Sequence, residues 1–148
     1  MRTVNVKDIK ETVAKLCKQA CYVVTPDLKA AFTKAQTTES SSLGKDILGK
    51  ILQNAKLAEE GVAPICQDTG MTVVFVEIGQ DVHIEGGYIE DAINEGIAKG
   101  YTEGYLRKSV VAEPLFERKN TTNNTPAVIH TRIVPGDKFK IKVAPKGF

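Results

Sequence analysis

The sequence predicts an α+β fold: an N-terminal helical layer packed on a mixed or antiparallel sheet with an inserted helix. Three observations carry this reading. Apolar residues step by three or four through the first part of the chain, which is the helical period. Beyond Pro64 the chain turns to β-branched runs. Phe139, Ile141 and Val143 then alternate with Lys138, Lys140 and Lys142, a period of two. Helices first and strands later favour α+β over regular βαβ alternation.

Element by element, Val6, Ile9, Val13, Leu16 and Ala20 mark a first amphipathic helix. Thr25-Pro26-Asp27 offers a hydroxyl N-cap followed by proline at the first helical position, so a second helix runs from there to about Ala35. Gln36 to Ser42 is polar and serine-rich, hence a loop. Ile47, Leu48, Ile51, Leu52, Ala55 and Ala58 predict a third helix ending near Gly61. Met71 to Ile78 reads as a strand buried on at least one face. Gly86-Gly87 punctuates, and Ile89, Ala92, Ile93 and Ile97 return to helical spacing. Glu113 to Asn124 is expected to be irregular and Ala127 to Val134 strand-like. Pro135-Gly136-Asp137 carries turn chemistry and predicts a hairpin joining that strand to the one at 139–143.

The 148 residues suit one domain, 1–148, with residues 1–61 mainly helical and 62–148 mixed. A 42% hydrophobic and 26% charged composition excludes a disordered tail, a collagen-like rod and a disulfide-stapled miniprotein. No apolar run approaches the ~18–20 residues that span a bilayer, and residues 1–10 lack an apolar signal core, so the expected setting is cytoplasmic, without membrane. The formal net charge of +2 hides an uneven distribution: +5 over residues 1–56, −8 over 57–102 and +5 over 103–148. With no Trp and only 6% aromatic residues, nucleic acid is not the expected partner. The basic last third suits small dicarboxylate or phosphate ligands instead. Three cysteines, an odd count with no secretory signal, argue against a disulfide framework.

Candidate chemistry is sparse. Ile65-Cys66-Gln67-Asp68-Thr69-Gly70 places a thiol, an amide and a carboxyl within three residues, in a short loop before a strand. The bland alternative is a half-buried thiol beside local turn hydrogen bonds. Cys17 and Cys21 share a helix face and read as core, and His83 and His130 belong to no metal motif. Arg107, at the end of a helix, serves either as surface charge complementing the helix dipole or as a carboxylate-binding fork.

Taken as a set, residues 65–70, Tyr105-Leu106-Arg107-Lys108-Ser109-Val110-Val111, Asn120-Thr121 and Asn124-Thr125-Pro126-Ala127 resemble the iron–sulfur-dependent class I fumarate hydratases. The likeness is to the α subunit of the two-subunit form, shared with L-tartrate dehydratase. The resemblance implies a hydro-lyase acting on a C4 dicarboxylate, with fumarate to malate as the leading reaction and tartrate to oxaloacetate as the alternative. It implies that Cys66 is the first of three cysteines holding a [4Fe–4S] cluster whose open iron binds substrate. By the same resemblance Asp68 protonates the leaving hydroxyl, Gln67 and Arg107 hold the dicarboxylate, and the base comes from a β subunit. Thr122 departs from the pattern, standing where the family has glycine. The family's other two cluster cysteines lie beyond a glycine-rich stretch after Gly147, so the expectation is an N-terminal part of an α subunit. Such a part would be without cluster or activity by itself, and self-associating through uncovered apolar surface. A non-catalytic module that pairs with a β subunit or with itself is the competing expectation.

Overall fold

The computed structural model of the protein describes residues 1–147. Its elements are β1 (Arg2–Asn5), α1 (Val6–Tyr22), α2 (Pro26–Thr38), α3 (Ser42–Glu59), β2 (Met71–Gly79), β3 (Val82–Glu85), α4 (Ile89–Glu103), β4 (Val128–Val134) and β5 (Phe139–Lys146). They divide into two compact units: residues 1–20 with 67–147, and residues 21–66. The α+β class holds. Among the described residues no helix is long and apolar enough to cross a membrane.

In the first unit, the centre is a three-stranded mixed sheet ordered β4-β2-β5. Strand β2 pairs parallel with β4 and antiparallel with β5. Alternation along β2 sends Thr72, Val74 and Val76 into the core, where all three are buried. Ile9, Val13, Ala14 and Cys17 of α1 and Ala92, Ile93, Ile97 and Tyr101 of α4 supply most of the remaining core, with Val6, Leu106 and Val110. The two helices approach closely because Gly96 and Gly100 leave room: a Cβ there would lie 2.6 Å from the Lys10 carbonyl oxygen and 2.8 Å from that of Ala14. At the rim, Lys10 meets Glu95 at 2.8 Å and Lys18 meets Glu103 at 3.1 Å. Exposed pairs of this kind add little, ~0–1 kcal/mol each.

The hairpin expected around Pro135-Gly136-Asp137 does not form. Strands β4 and β5 flank β2 instead of pairing with each other. The turn residues arch over the end of β2, where Gly79 N–H donates to Lys138 O, Gln80 N–H to Val134 O and Asp81 N–H to Gly136 O. Gly79 permits this arch, since a Cβ there would stand 2.3 Å from the Gly136 oxygen. The short strands β1 and β3 pair parallel, Arg2 opposite Val82 through Asn5 opposite Glu85.

The second unit is a helical hairpin. Gln36 Nε2 donates to Lys45 O, and Lys29 pairs with Glu59, so α2 and α3 run antiparallel. Ser41 caps α3, its hydroxyl accepting from Gly44 N–H. Thr25 starts α2 without such a side-chain cap. Its hydroxyl is turned to the Asp27 carboxylate and helps hold that group below the usual carboxylate range. Residues after α3 fold back, with Ile65 N–H donating to Cys21 O at 2.9 Å and Asn54 Nδ2 to Ile65 O at 2.7 Å.

Candidate functional site

Sequence segments up to 54 residues apart converge on the start of β2, and buried side chains do the joining. Tyr101 comes from the last turn of α4, continuing the stripe Ile93, Ile97 at intervals of four. Its ring is fully buried, and its phenol donates to Thr69 O at 2.6 Å while accepting from the Thr72 hydroxyl at 3.2 Å. Thr69 in turn donates from its hydroxyl to Arg107 O at 2.9 Å. A buried polar chain of this kind is fully partnered, as low dielectric requires.

Asn124 is the second clamp. Wholly buried and at a φ of 64°, it donates from Nδ2 to Gly70 O at 3.0 Å. Its Oδ1 accepts from Ser109 N–H at 2.9 Å and Val110 N–H at 3.2 Å. Asn120 Nδ2 donates to Lys108 O at 2.8 Å, and Thr121 N–H donates to Val110 O at 3.0 Å. The segment 105–111 is thereby held between the loop before β2 on one side and residues 120–124 on the other.

Asp68 sits half-buried on this frame. Its Oδ1 accepts from Gly70 N–H at 3.1 Å. Its Oδ2 faces the Gly147 backbone so closely that a Cβ at 147 would stand 2.6 Å away. Gly70 has a φ of +61°, and a Cβ there would lie 2.1 Å from Lys146 O, so only glycine passes under β5 at this point. Gln67 and Arg107 are exposed side chains in the same unit. The structure ties Arg107 to the Asp68 loop through its carbonyl oxygen. Cys66 is exposed at the end of the other unit, one residue before Gln67.

Thr122, where the family pattern has glycine, adopts a φ of +68°. The Asn120 side chain stabilises that turn by accepting from Thr122 N–H at 2.6 Å. The departure is one of residue type, with the left-handed backbone retained.

Tyr101, Asn124, Gly70 and Gly147 were not identified as frame residues from the sequence. For Tyr101 a signal existed, the four-residue step from Ile97. Asn124 stood in a segment carrying the family resemblance, but its clamping role was not legible, because its partners are 14, 15 and 54 residues distant.

The donor set can be compared with the iron–sulfur group the resemblance implies. Cys66 is an exposed thiol and fits a cluster ligand. Cys17 and Cys21 are buried, and burial, with the nearby Cys66 as a lesser cause, pushes the Cys21 thiol up to about 11. Both suit packing rather than ligation. Among the described residues no group of three or more His, Cys, Asp or Glu is placed to hold a metal ion. Cys66 is the one exposed thiol among the described residues.

A family model described as Fumarate hydratase (Fumerase) matches residues 10–148. A protein of Methanocaldococcus jannaschii, provisionally named L(+)-tartrate dehydratase subunit alpha, is 37% identical over 124 residues, covering 81% of this chain and 43% of that protein. Fumarate hydratase class I, anaerobic, of Escherichia coli K12 is 32% identical over 143 residues, 93% of this chain and 26% of the relative. The aerobic class I enzyme of the same strain is 36% identical over 110 residues, 74% of this chain and 20% of the relative. The chain thus spans less than half the length of these relatives.

Proposed function

The chain belongs to the fumarate hydratase family, and from that membership we propose that it is part of a hydro-lyase adding or removing water on a C4 dicarboxylate, fumarate to malate foremost. The observation that carries the reading is the seating of Asp68 on the Tyr101–Thr69–Arg107 frame.

In this reading Asp68, whose Oδ1 accepts from Gly70 N–H, gives a proton to the departing hydroxyl as general acid. Arg107 pairs one substrate carboxylate through its guanidinium fork, and Gln67 adds an amide donor. Both side chains are exposed, and the Arg107 backbone is tied to Thr69 through its carbonyl oxygen. Cys66 would hold one corner of a [4Fe–4S] cluster, and the chemistry supplied there is Lewis-acid polarisation of the substrate's oxygens. Its other thiolates would come from polypeptide outside residues 1–148. The base that takes the carbon-bound proton belongs, in this reading, to a β subunit, in a homo-oligomeric cytoplasmic assembly.

Tartrate dehydration to oxaloacetate is a second reading, supported by the 37% identity with the Methanocaldococcus protein. The deciding experiment is anaerobic purification of the assembly containing this chain, with fumarate and tartrate assayed side by side. Faster fumarate hydration is expected, lowered ~10²-fold or more by Asp68→Asn with iron content unchanged. Faster tartrate dehydration selects the second reading. Full iron content without turnover of either substrate rejects both.

A further inference from the structure

Register along the mixed sheet places His130, Phe75 and Lys142 in one row and Arg132, Glu77 and Lys140 in the next. Both rows lie on the face opposite the buried Thr72, Val74 and Val76. Here Phe75 is 44% exposed, its ring stacked on His130 with centroids 5.2 Å apart. A groove of about 300 Å³ opens beside it, lined by Phe75, Glu77, Lys140 and Lys142. Among the described residues, no ion pair engages Arg132, Lys140 or Lys142. The face is an aromatic floor whose three basic side chains, Arg132, Lys140 and Lys142, outnumber its one acid, Glu77.

The same unit carries a corner of opposite charge. Gly86 and Gly87, at φ of 90° and 151°, deliver the chain to Tyr88, which is 60% exposed at the N-terminus of α4. Glu85, Glu90 and Asp91 flank it, and none of them is held in an ion pair among the described residues. This is an exposed aromatic anchor with an acidic rim, the kind of group that seats in a partner's groove.

We propose that the acidic corner around Tyr88 docks on the open sheet face around Phe75 of a second copy of this chain. A symmetric meeting of two sheet faces would bring Arg132, Lys140 and Lys142 of both copies together with only Glu77 of each to offset them. The contact is therefore heterologous, running head to tail. Exposed rim charges contribute little each, so the association is weak, with Kd of ~10–100 μM at low salt. Screening dissolves it as the Debye length shortens.

The test is sedimentation velocity of the intact chain at ~20 mM and ~0.5 M NaCl. Concentration-dependent growth at low salt, lost at high salt, is expected. Lys140→Glu/Lys142→Glu and Glu90→Lys/Asp91→Lys should each leave a monomer, weakening association ~10-fold or more. Mixing these two doubly substituted chains restores complementary faces and should restore association; circular dichroism checks that each is folded. Tyr88→Ala should weaken the wild-type contact without altering its salt response. A wild-type monomer at high concentration overturns the proposal, as does self-association indifferent to salt, or a mixture that stays monomeric. Lys140- and Lys142-dependent binding of single-stranded oligonucleotide by a monomeric chain would assign the face to nucleic acid instead.

Discussion

The side-chain amide of Asn124 donates to the carbonyl oxygen of Gly70 across 54 residues, while its oxygen accepts the backbone N–H groups of Ser109 and Val110. One buried residue thus couples the segment carrying Arg107 to the loop carrying Asp68. Asn124→Ala removes three hydrogen bonds and places a Cβ-bearing apolar residue at a left-handed φ. A loss of ~3 kcal/mol is expected in urea unfolding, since buried groups left unpaired are costly. A loss under ~1 kcal/mol would show that water substitutes for the amide.

Thr122 presents the opposite case. A β-branched residue at φ +68° is strained, and glycine relieves that strain at some cost in unfolded-chain entropy. Thr122→Gly is expected to raise stability by ~0.5–1 kcal/mol, read as a higher denaturation midpoint. An unchanged or lower midpoint would mean that the Asn120 side chain already compensates fully.

The cysteines separate by exposure. Alkylation near neutral pH under native conditions should label Cys66 alone, with Cys17 and Cys21 reacting only in denaturant. Peptide mass mapping reads this directly. Native labelling of Cys21 ahead of Cys66 would contradict the burial that raises its thiol pKa.

Glu11 accepts from Lys99 across α1 and α4, which holds its carboxyl below the ordinary value of 4.5. A lowered acid favours the folded state at pH above that ordinary value. The contribution fades as pH falls through the lowered folded value. Lys99→Met is therefore expected to move the Glu11 titration up towards 4.5 by carbon-13 NMR and to flatten the acid limb of stability. A Glu11 titration unmoved by the substitution would show that the hydrogen bond is absent in solution.

Helical segments were legible because their evidence is local. The steps through Val6–Ala20, Ile47–Ala58 and Ile89–Ile97 each locate a helix that forms, and the alternation at 139–143 locates β5. The four-residue strands β1 and β3 carry no comparable signal. They exist because residues 2–5 meet residues 82–85, a pairing invisible to any short window. Pro135-Gly136-Asp137 shows the same limit from the other side: its turn chemistry was read correctly, yet the strands it joins flank β2. Turn residues specify a reversal of direction, not which strand becomes the neighbour.

By itself the sequence determined the α+β class, the helices and longer strands and the family resemblance, from which Cys66, Gln67, Asp68 and Arg107 follow as candidates. Only tertiary structure decided the strand order, the burial of Tyr101 and Asn124, and the hydrogen bond that joins Thr69 to Arg107. The physical reason is range. Periodicity and turn chemistry act over a few residues, whereas register and buried polar partners are selected only when distant segments compete for the same space and the same unpaired groups.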